Sequence, residues 1–456
     1  MARDTIDTTP IGSRDELVAW IEKGNKPPER FRLGTEHEKF GFYRADHSPV
    51  PYAGPRGIRA LLEGMEGLLG WEPILDGENI IGLADVTGGG AISLEPGGQF
   101  ELSGAPVETL HQTWTETHAH FAQVKQVADP LGINFLGLGM SPKWTRAETP
   151  VMPKSRYGIM TRYMPKVGNL GLDMMYRTCT VQVNLDFASE ADMVKKLRVS
   201  LAWQPIATAI FANSPFTEGR LNGFQSFRSA VWLDTDGDRT GMLPFAFEDG
   251  MGFERYVDYA LDVPLYFVKR GDTYHDVAGG SFRALMEGKL NTLPGERAIL
   301  SDWVNHVGTI FPEVRLKRYL EMRGADSGPL SRIVALPALF TGLLYDNDVL
   351  DAAWDLVKGW SAEQRWALRR DVPVTGFATE IAGRRVGELA KEMVALAREG
   401  LRRRDRLDMH GCDETRYLDP IQALVDEGKS AAEVLIERFK GPWGGSVEPV
   451  FDEQAY

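Results

Sequence analysis

Glu36 and Glu38 stand two residues apart in the stretch Gly34-Thr-Glu-His-Glu-Lys-Phe-Gly-Phe42. In an extended chain Glu36, Glu38, Phe40 and Phe42 share one face, and Thr35, His37, Lys39 and Gly41 share the other. Same-side carboxylates then lie ~7 Å apart and repel by roughly 2 kcal/mol at an effective dielectric of about 20. A solvent-exposed edge pair would tolerate that; an apolar strand calls for a counter-charge, and a hard divalent cation takes oxygen ligands. Three more stretches repeat the theme. Leu94-Glu-Pro-Gly-Gly-Gln-Phe-Glu-Leu102 offers Glu95 before a bulge-forming Pro-Gly-Gly, then Gln99 and Glu101 on one face. Thr178 to Phe187 alternates cleanly, with Gln182 and Asn184 on its polar side. Val314 to Arg323 reads as a further strand whose polar set includes Glu321 and Arg323. Acids brought together by four strands repel strongly unless cations join them, and magnesium or manganese shared with nucleotide phosphates fits such ligands.

The elements that must position these groups form an α+β plan. The apolar side of Thr178–Phe187 (Cys179, Val181, Val183, Leu185, Phe187) must pack on helices, and its neutral hydrogen-bonding side suggests a lined cavity. Cys179 falls on the packed side, as a small buried hydrophobe. A long helix after Ser189, another over about 107–128, and helical spacing from Ser331 onward supply the packing layer. Residues 153–172, rich in Lys, Arg, Tyr, Pro and Gly, read as an irregular loop, with a cationic lid as the sharper alternative. The Asp85–Gly90 run is a hairpin tip or a backbone cradle for phosphate; no Walker-type loop occurs. Asp234-Thr-Asp-Gly-Asp238 lacks the glutamate of a calcium loop and reads as an acidic turn held by Arg239. The tail after Gly441 reads as peripheral. No repeat, linker or sharp composition break divides the chain, so residues 1–456 read as one catalytic domain with a helical part over about 331–440.

Composition narrows the function classes. A net charge of −13 argues against electrostatic nucleic-acid binding and gives no support for adhesion to anionic lipid. Two cysteines exclude a disulfide framework and suit a reducing compartment. The apolar stretch from Ile333 to Tyr345 is too short to span a bilayer, and the N-terminus reads as neither secretory signal nor transit peptide, so the expectation is a cytoplasmic protein without membrane contact.

Several long motifs resemble the glutamate–cysteine ligases of the plant and proteobacterial type. They are Gly34–Phe42, Ser93-Leu-Glu-Pro-Gly-Gly-Gln-Phe-Glu-Leu-Ser-Gly-Ala-Pro106, Leu170-Gly-Leu-Asp-Met-Met175, Arg177-Thr-Cys-Thr-Val-Gln-Val-Asn-Leu-Asp186 and Arg315-Leu-Lys-Arg-Tyr-Leu-Glu-Met-Arg-Gly-Ala-Asp326. The likeness runs over roughly residues 10–440. It implies a fold similar to the catalytic domain of glutamine synthetase: a curved, mainly antiparallel six-stranded sheet forming a bowl, with helices on its convex side. It implies ATP as co-substrate, Mg2+ or Mn2+ as metal, and glutamate and cysteine joined through a γ-glutamyl phosphate in the first step of glutathione synthesis. By the same resemblance Glu36, Glu38, Glu95, Glu101, Gln182 and Glu321 are metal ligands. Arg323, Arg228 and Arg239 would contact phosphate or a substrate carboxylate, and Thr178, Thr180, Asn184 and Arg162 would bind substrate. Plant members carry regulatory disulfides; the matching positions here hold Trp114, Val277 and Thr292. Monomer and homodimer both stay open, as do a different amine acceptor and a non-catalytic binding protein.

Overall fold

A computed structural model describes residues 6–456. Nine strands form its main sheet: β1 (Leu33–Tyr43), β2 (Glu72–Asp76), β3 (Asn79–Ala84), β4 (Ala91–Leu94), β5 (Phe100–Ser103), β6 (Ile133–Leu136), β7 (Thr180–Leu185), β8 (Val314–Leu316) and β9 (Leu320–Asp326). The order is β8-β9-β7-β1-β5-β4-β3-β2, with β6 pairing the far end of β1, and every pairing is antiparallel. The α+β bowl expected from the resemblance is present, with nine strands in place of six. The additional ones are short or paired at the margins, where alternation is too brief to read.

Alternation in β7 dictates the layer behind the sheet. Val181, Val183 and Leu185 turn to one side and are buried in a core shared with helices α3 (Glu190–Ile210), α4 (Leu330–Leu344) and α5 (Val386–Arg404). Burying each such side chain contributes about 1.5–3 kcal/mol. Ser189 caps α3 by accepting from the Asp192 N–H at 3.2 Å. Helices α1 (Ile58–Leu69) and α2 (Leu110–Leu131) back the other half of the sheet, packing Ile58, Leu61, Leu62, Met65, Val124 and Ala128 against Ile92, Leu94, Phe100 and Leu102. No single helix among the described residues is long and apolar enough to cross a membrane.

Three sequence expectations change here. Val314–Arg323 is a hairpin, not one strand: β8 and β9 pair with Arg315 opposite Glu321, and Lys317–Tyr319 form the turn. That explains why Arg318 broke the alternation. Residues 153–172 are mostly helical, with an α-helix over Ser155–Tyr163 and a second from Gly171 to Arg177. The tail is not peripheral, since Val450 and Phe451 are buried beside Phe40, Phe42 and Trp144.

Candidate active site

Register places the acids. Glu38 lies opposite Glu101 across β1 and β5, Glu36 opposite Gln182 across β1 and β7, and Glu321 opposite Asn184 across β9 and β7. Glu36, Glu38, Glu95, Glu101, Gln182 and Arg323 line one cavity of about 110 Å³. Burial, then the negative charges of Glu321 and Glu101, raise the Glu36 carboxyl above its ordinary range. Burial, then Glu101 and Glu95, push Glu38 well above it, although the Thr180 N–H donates to Glu38 at 2.9 Å. Glu101 accepts from Ser93 Oγ at 2.5 Å, and Glu36 from Asn184 Nδ2 at 2.9 Å. Among the described residues no three acidic, histidine or cysteine side chains converge tightly enough to form a ready-made metal cluster. The donor chemistry nonetheless fits a hard cation: carboxylate oxygens from Glu36, Glu38, Glu95 and Glu101 surround one space whose crowding favours added positive charge.

Glu321 behaves differently from the other acids. It is fully buried, and its carboxylate is shared by Arg315 Nε at 2.5 Å, Arg323 Nη1 at 2.8 Å and Lys317 Nζ at 3.4 Å. Against a burial that would raise it, these three cations hold Glu321 well below the usual carboxylate range. In this structure it braces a basic wall, with Arg315 and Arg323 on Oε2 and Lys317 on Oε1. That wall faces a second cavity of about 550 Å³, lined by Lys26, Arg32, Arg315, Lys317, Tyr319 and Asn184, by the acids Glu36, Asp186 and Glu321, and by Asp85, Gly89 and Gly90 at the β3–β4 turn. The Asp85–Gly90 run is thus a hairpin connection that also edges a cavity. Glu36 and Arg315 line both cavities.

A third, small chamber of about 10 Å³ adjoins the acidic one through Arg323 and Phe311, and is completed by Arg228, Ser229, Trp232, Glu313, Gly324 and Arg369. Its walls carry buried polar atoms without a hydrogen-bond partner: Arg228 Nε and Nη1, Trp232 Nε1, Ser229 Oγ, Glu313 Oε2 and Arg369 Nη1. Unpaired buried groups of this kind cost stability unless a ligand meets them. Arg228 Nη2 donates to the Arg323 carbonyl at 3.0 Å, and Arg323 donates to Gln182 Oε1. Sequence reasoning missed Glu313, Trp232 and Arg369. It also missed Arg315 and Lys317 as site residues, although a hairpin reading of 314–326 would have put Arg315 across from Glu321.

Four expected contacts lie elsewhere. Arg239 is buried in an ion pair with Asp236 at 2.6 Å, donates to the carbonyls of Thr309 and Pro264, and stacks on Tyr266, so it holds the loop that contains it and lines none of the three cavities. Arg162 is exposed and paired with Asp276 at 2.8 Å. Thr178 Oγ1 donates to the Met174 carbonyl and Thr180 Oγ1 to that of Ala325, so both hydroxyls serve the backbone rather than a pocket.

Residues 32–453 match glutamate-cysteine ligase family 2 (GCS2). The chain belongs to this family. It is 55% identical to the chloroplastic glutamate–cysteine ligase of Nicotiana tabacum over 97% of this chain and 83% of that one. The chloroplastic enzyme of Arabidopsis thaliana is 54% identical, covering 99% and 84%. A crystal structure of glutamate–cysteine ligase from Francisella tularensis in complex with AMP shares the fold at a TM-score of 0.53 and 11% identity, over 90% of this chain and 85% of that one. Membership in the glutamate–cysteine ligase family makes this protein an enzyme, a ligase of glutathione biosynthesis. The cytoplasmic expectation is corrected to this extent: similar relatives from tobacco, Arabidopsis and Brassica juncea are all named chloroplastic, so the comparisons do not support it.

Proposed function

We propose that the three adjoining cavities divide the substrates of an ATP-dependent glutamate–cysteine ligation. The observation that carries this reading is their succession, a large cavity with Arg315 and Lys317 along one wall, then a space ringed by Glu36, Glu38, Glu95 and Glu101, then a small chamber edged by Arg228, with Glu36 and Arg315 at one junction and Arg323 and Phe311 at the other. ATP occupies the large cavity, its phosphates directed along Arg315 and Lys317 toward the acids. The amino acid's head group lies in the small chamber, where Arg228 meets its α-carboxylate and leaves the γ-carboxylate pointing back into the acidic space. Magnesium or manganese, held by Glu36, Glu38, Glu95 and Glu101 with the amide of Gln182, would neutralise phosphate oxygens there. The γ-carboxylate oxygen attacks the terminal phosphorus and ADP leaves. The neutral amine of cysteine then attacks the acyl carbon, phosphate departs, and the nitrogen loses a proton. Arg323, between the two chambers, faces the charge that builds on the transferring phosphoryl group.

Hydroxylamine trapping tests the scheme. Enzyme with ATP, magnesium and glutamate, but no cysteine, is expected to give γ-glutamyl hydroxamate with one phosphate and one ADP per turnover. Release of AMP and pyrophosphate instead would replace the acyl phosphate with an adenylate and overturn it.

A further inference from the structure

The small chamber holds an acid as well as an arginine. Glu313, just before β8, is buried; its Oε1 accepts from Arg369 Nε at 2.6 Å, while Oε2 has no partner. Arg228 lines the same chamber, and its Nε and Nη1 are equally unpartnered. Gly324 leaves room beside the acid: a Cβ there would lie 2.8 Å from Glu313 Oε2 and 2.6 Å from the amide Nε2 of Gln204. A buried carboxylate oxygen and a buried guanidinium edge, both unmet, around one small space complement an ammonium and a carboxylate carried on one carbon. The chamber of about 10 Å³ is closed down; room for about one water means that seating the head group displaces part of its wall.

We propose that Glu313 receives the α-ammonium of the substrate amino acid, and so makes the enzyme select an α-amino dicarboxylate over the same dicarboxylate without its amine. This rests on the reading that the amino acid's head group occupies the chamber. Arg369 binds the other oxygen of Glu313 and positions it. Were Glu313 only a structural partner of Arg369, its loss would affect both substrates alike.

The test compares glutamate with glutarate, which keeps both carboxylates and lacks the amine, in ATP-dependent hydroxamate formation. Wild-type enzyme is expected to favour glutamate by at least about 100-fold in kcat/KM, since a site built for a polar group discriminates strongly against its absence. In Glu313→Gln, glutamate is expected to lose about 10- to 100-fold while glutarate is unchanged, so the ratio collapses. The ratio is internal to one preparation and does not depend on the folded fraction. Glu313→Asp, which keeps a charge near Arg369 and withdraws the oxygen, is expected to move it the same way if the glutamine variant fails to fold. Arg228→Met should lower both substrates in parallel. A wild-type enzyme that uses glutarate as well as glutamate, or a ratio unmoved in the Glu313 variants, overturns the inference alone. An Arg228→Met variant normal toward both substrates overturns the chamber assignment beneath it.

Discussion

Glu321→Gln separates a buried anchor from an exchangeable ligand. The carboxylate lies 2.5, 2.8 and 3.4 Å from three cationic nitrogens. At an effective dielectric of about 20 those contacts represent gross attractions of roughly 7, 6 and 5 kcal/mol, largely offset by desolvation and by repulsion among the cations. Removing one partner of a buried ionic group typically costs about 3–5 kcal/mol net. Unfolding a chain of 456 residues carries an entropy near 1 kcal/mol per kelvin at about 2.1 cal/mol/K per residue, so the expected fall in Tm is about 3–5 °C. The stabilisation also has a pH signature. Because the folded pKa is depressed, the contribution is present above the unfolded value of 4.5 and is lost as pH falls through the folded value. The wild type should therefore lose its advantage over the variant only below about pH 4.5. Calorimetry across pH measures both quantities, and ATP-dependent phosphate release should fall by at least about 100-fold as Arg315 and Lys317 lose their anchor. A variant melting within about a degree of wild type at pH 7 would show that the cations need no carboxylate to hold them.

Other perturbations probe the surroundings. Lys39 lies 2.8 Å from His120 Nε2 among the rings of Phe100, Phe121 and Phe135, and burial drops its amine from 10.5 to about 7. The unfolded chain thus binds more protons between about pH 7 and 10.5, and stability rises with pH there; Lys39→Met should flatten that slope in urea titrations, and an unchanged slope would contradict the burial argument. Cys179→Ser should retain ligation, because the thiol is buried and burial pushes it well above its ordinary value; thiol reagents on the native enzyme should label exposed Cys412 alone. Arg239→Met, stranding Asp236, should cost about 3–5 kcal/mol while the folded enzyme keeps its KM for ATP. Arg162→Ala should stay within about 0.5 kcal/mol in thermal melts, its partner being a surface acid.

Much of the bowl was legible because the strands that build it alternate over long runs. Gly34–Phe42 and Thr178–Phe187 each place their candidate ligands on one face, and the observed register with β7 brings Glu36 to Gln182 while that with β5 brings Glu38 to Glu101. The small chamber was not legible, because Arg228, Glu313 and Arg369 come from separate elements and meet only in three dimensions. Lys317-Arg318-Tyr319 carries none of the glycine, asparagine or proline that marks a turn, so the β8–β9 hairpin passed for a single strand, which put Arg315 and Glu321 on one face but far apart along it. Arg239 was read both as the holder of an acidic turn and as a phosphate contact, and its ion pair with Asp236 matches the first; Arg162 was overestimated because its own stretch does not reveal that Asp276, from a distant strand, holds it.

The irregularity in β9 sets a limit on simplifying this enzyme. Pairing with β7 runs from Met322 opposite Val183 to Ala325 opposite Val181, three residues against two, so Arg323 and Gly324 share one slot. Deleting Gly324 would leave every neighbouring pair in place and give a more regular ladder. It would also change the geometry of the Arg323 carbonyl that accepts from Arg228. A shorter chain with tidier pairing is therefore expected to be a poorer catalyst: the surplus peptide unit is a tolerated fault in the weave that keeps an arginine aimed.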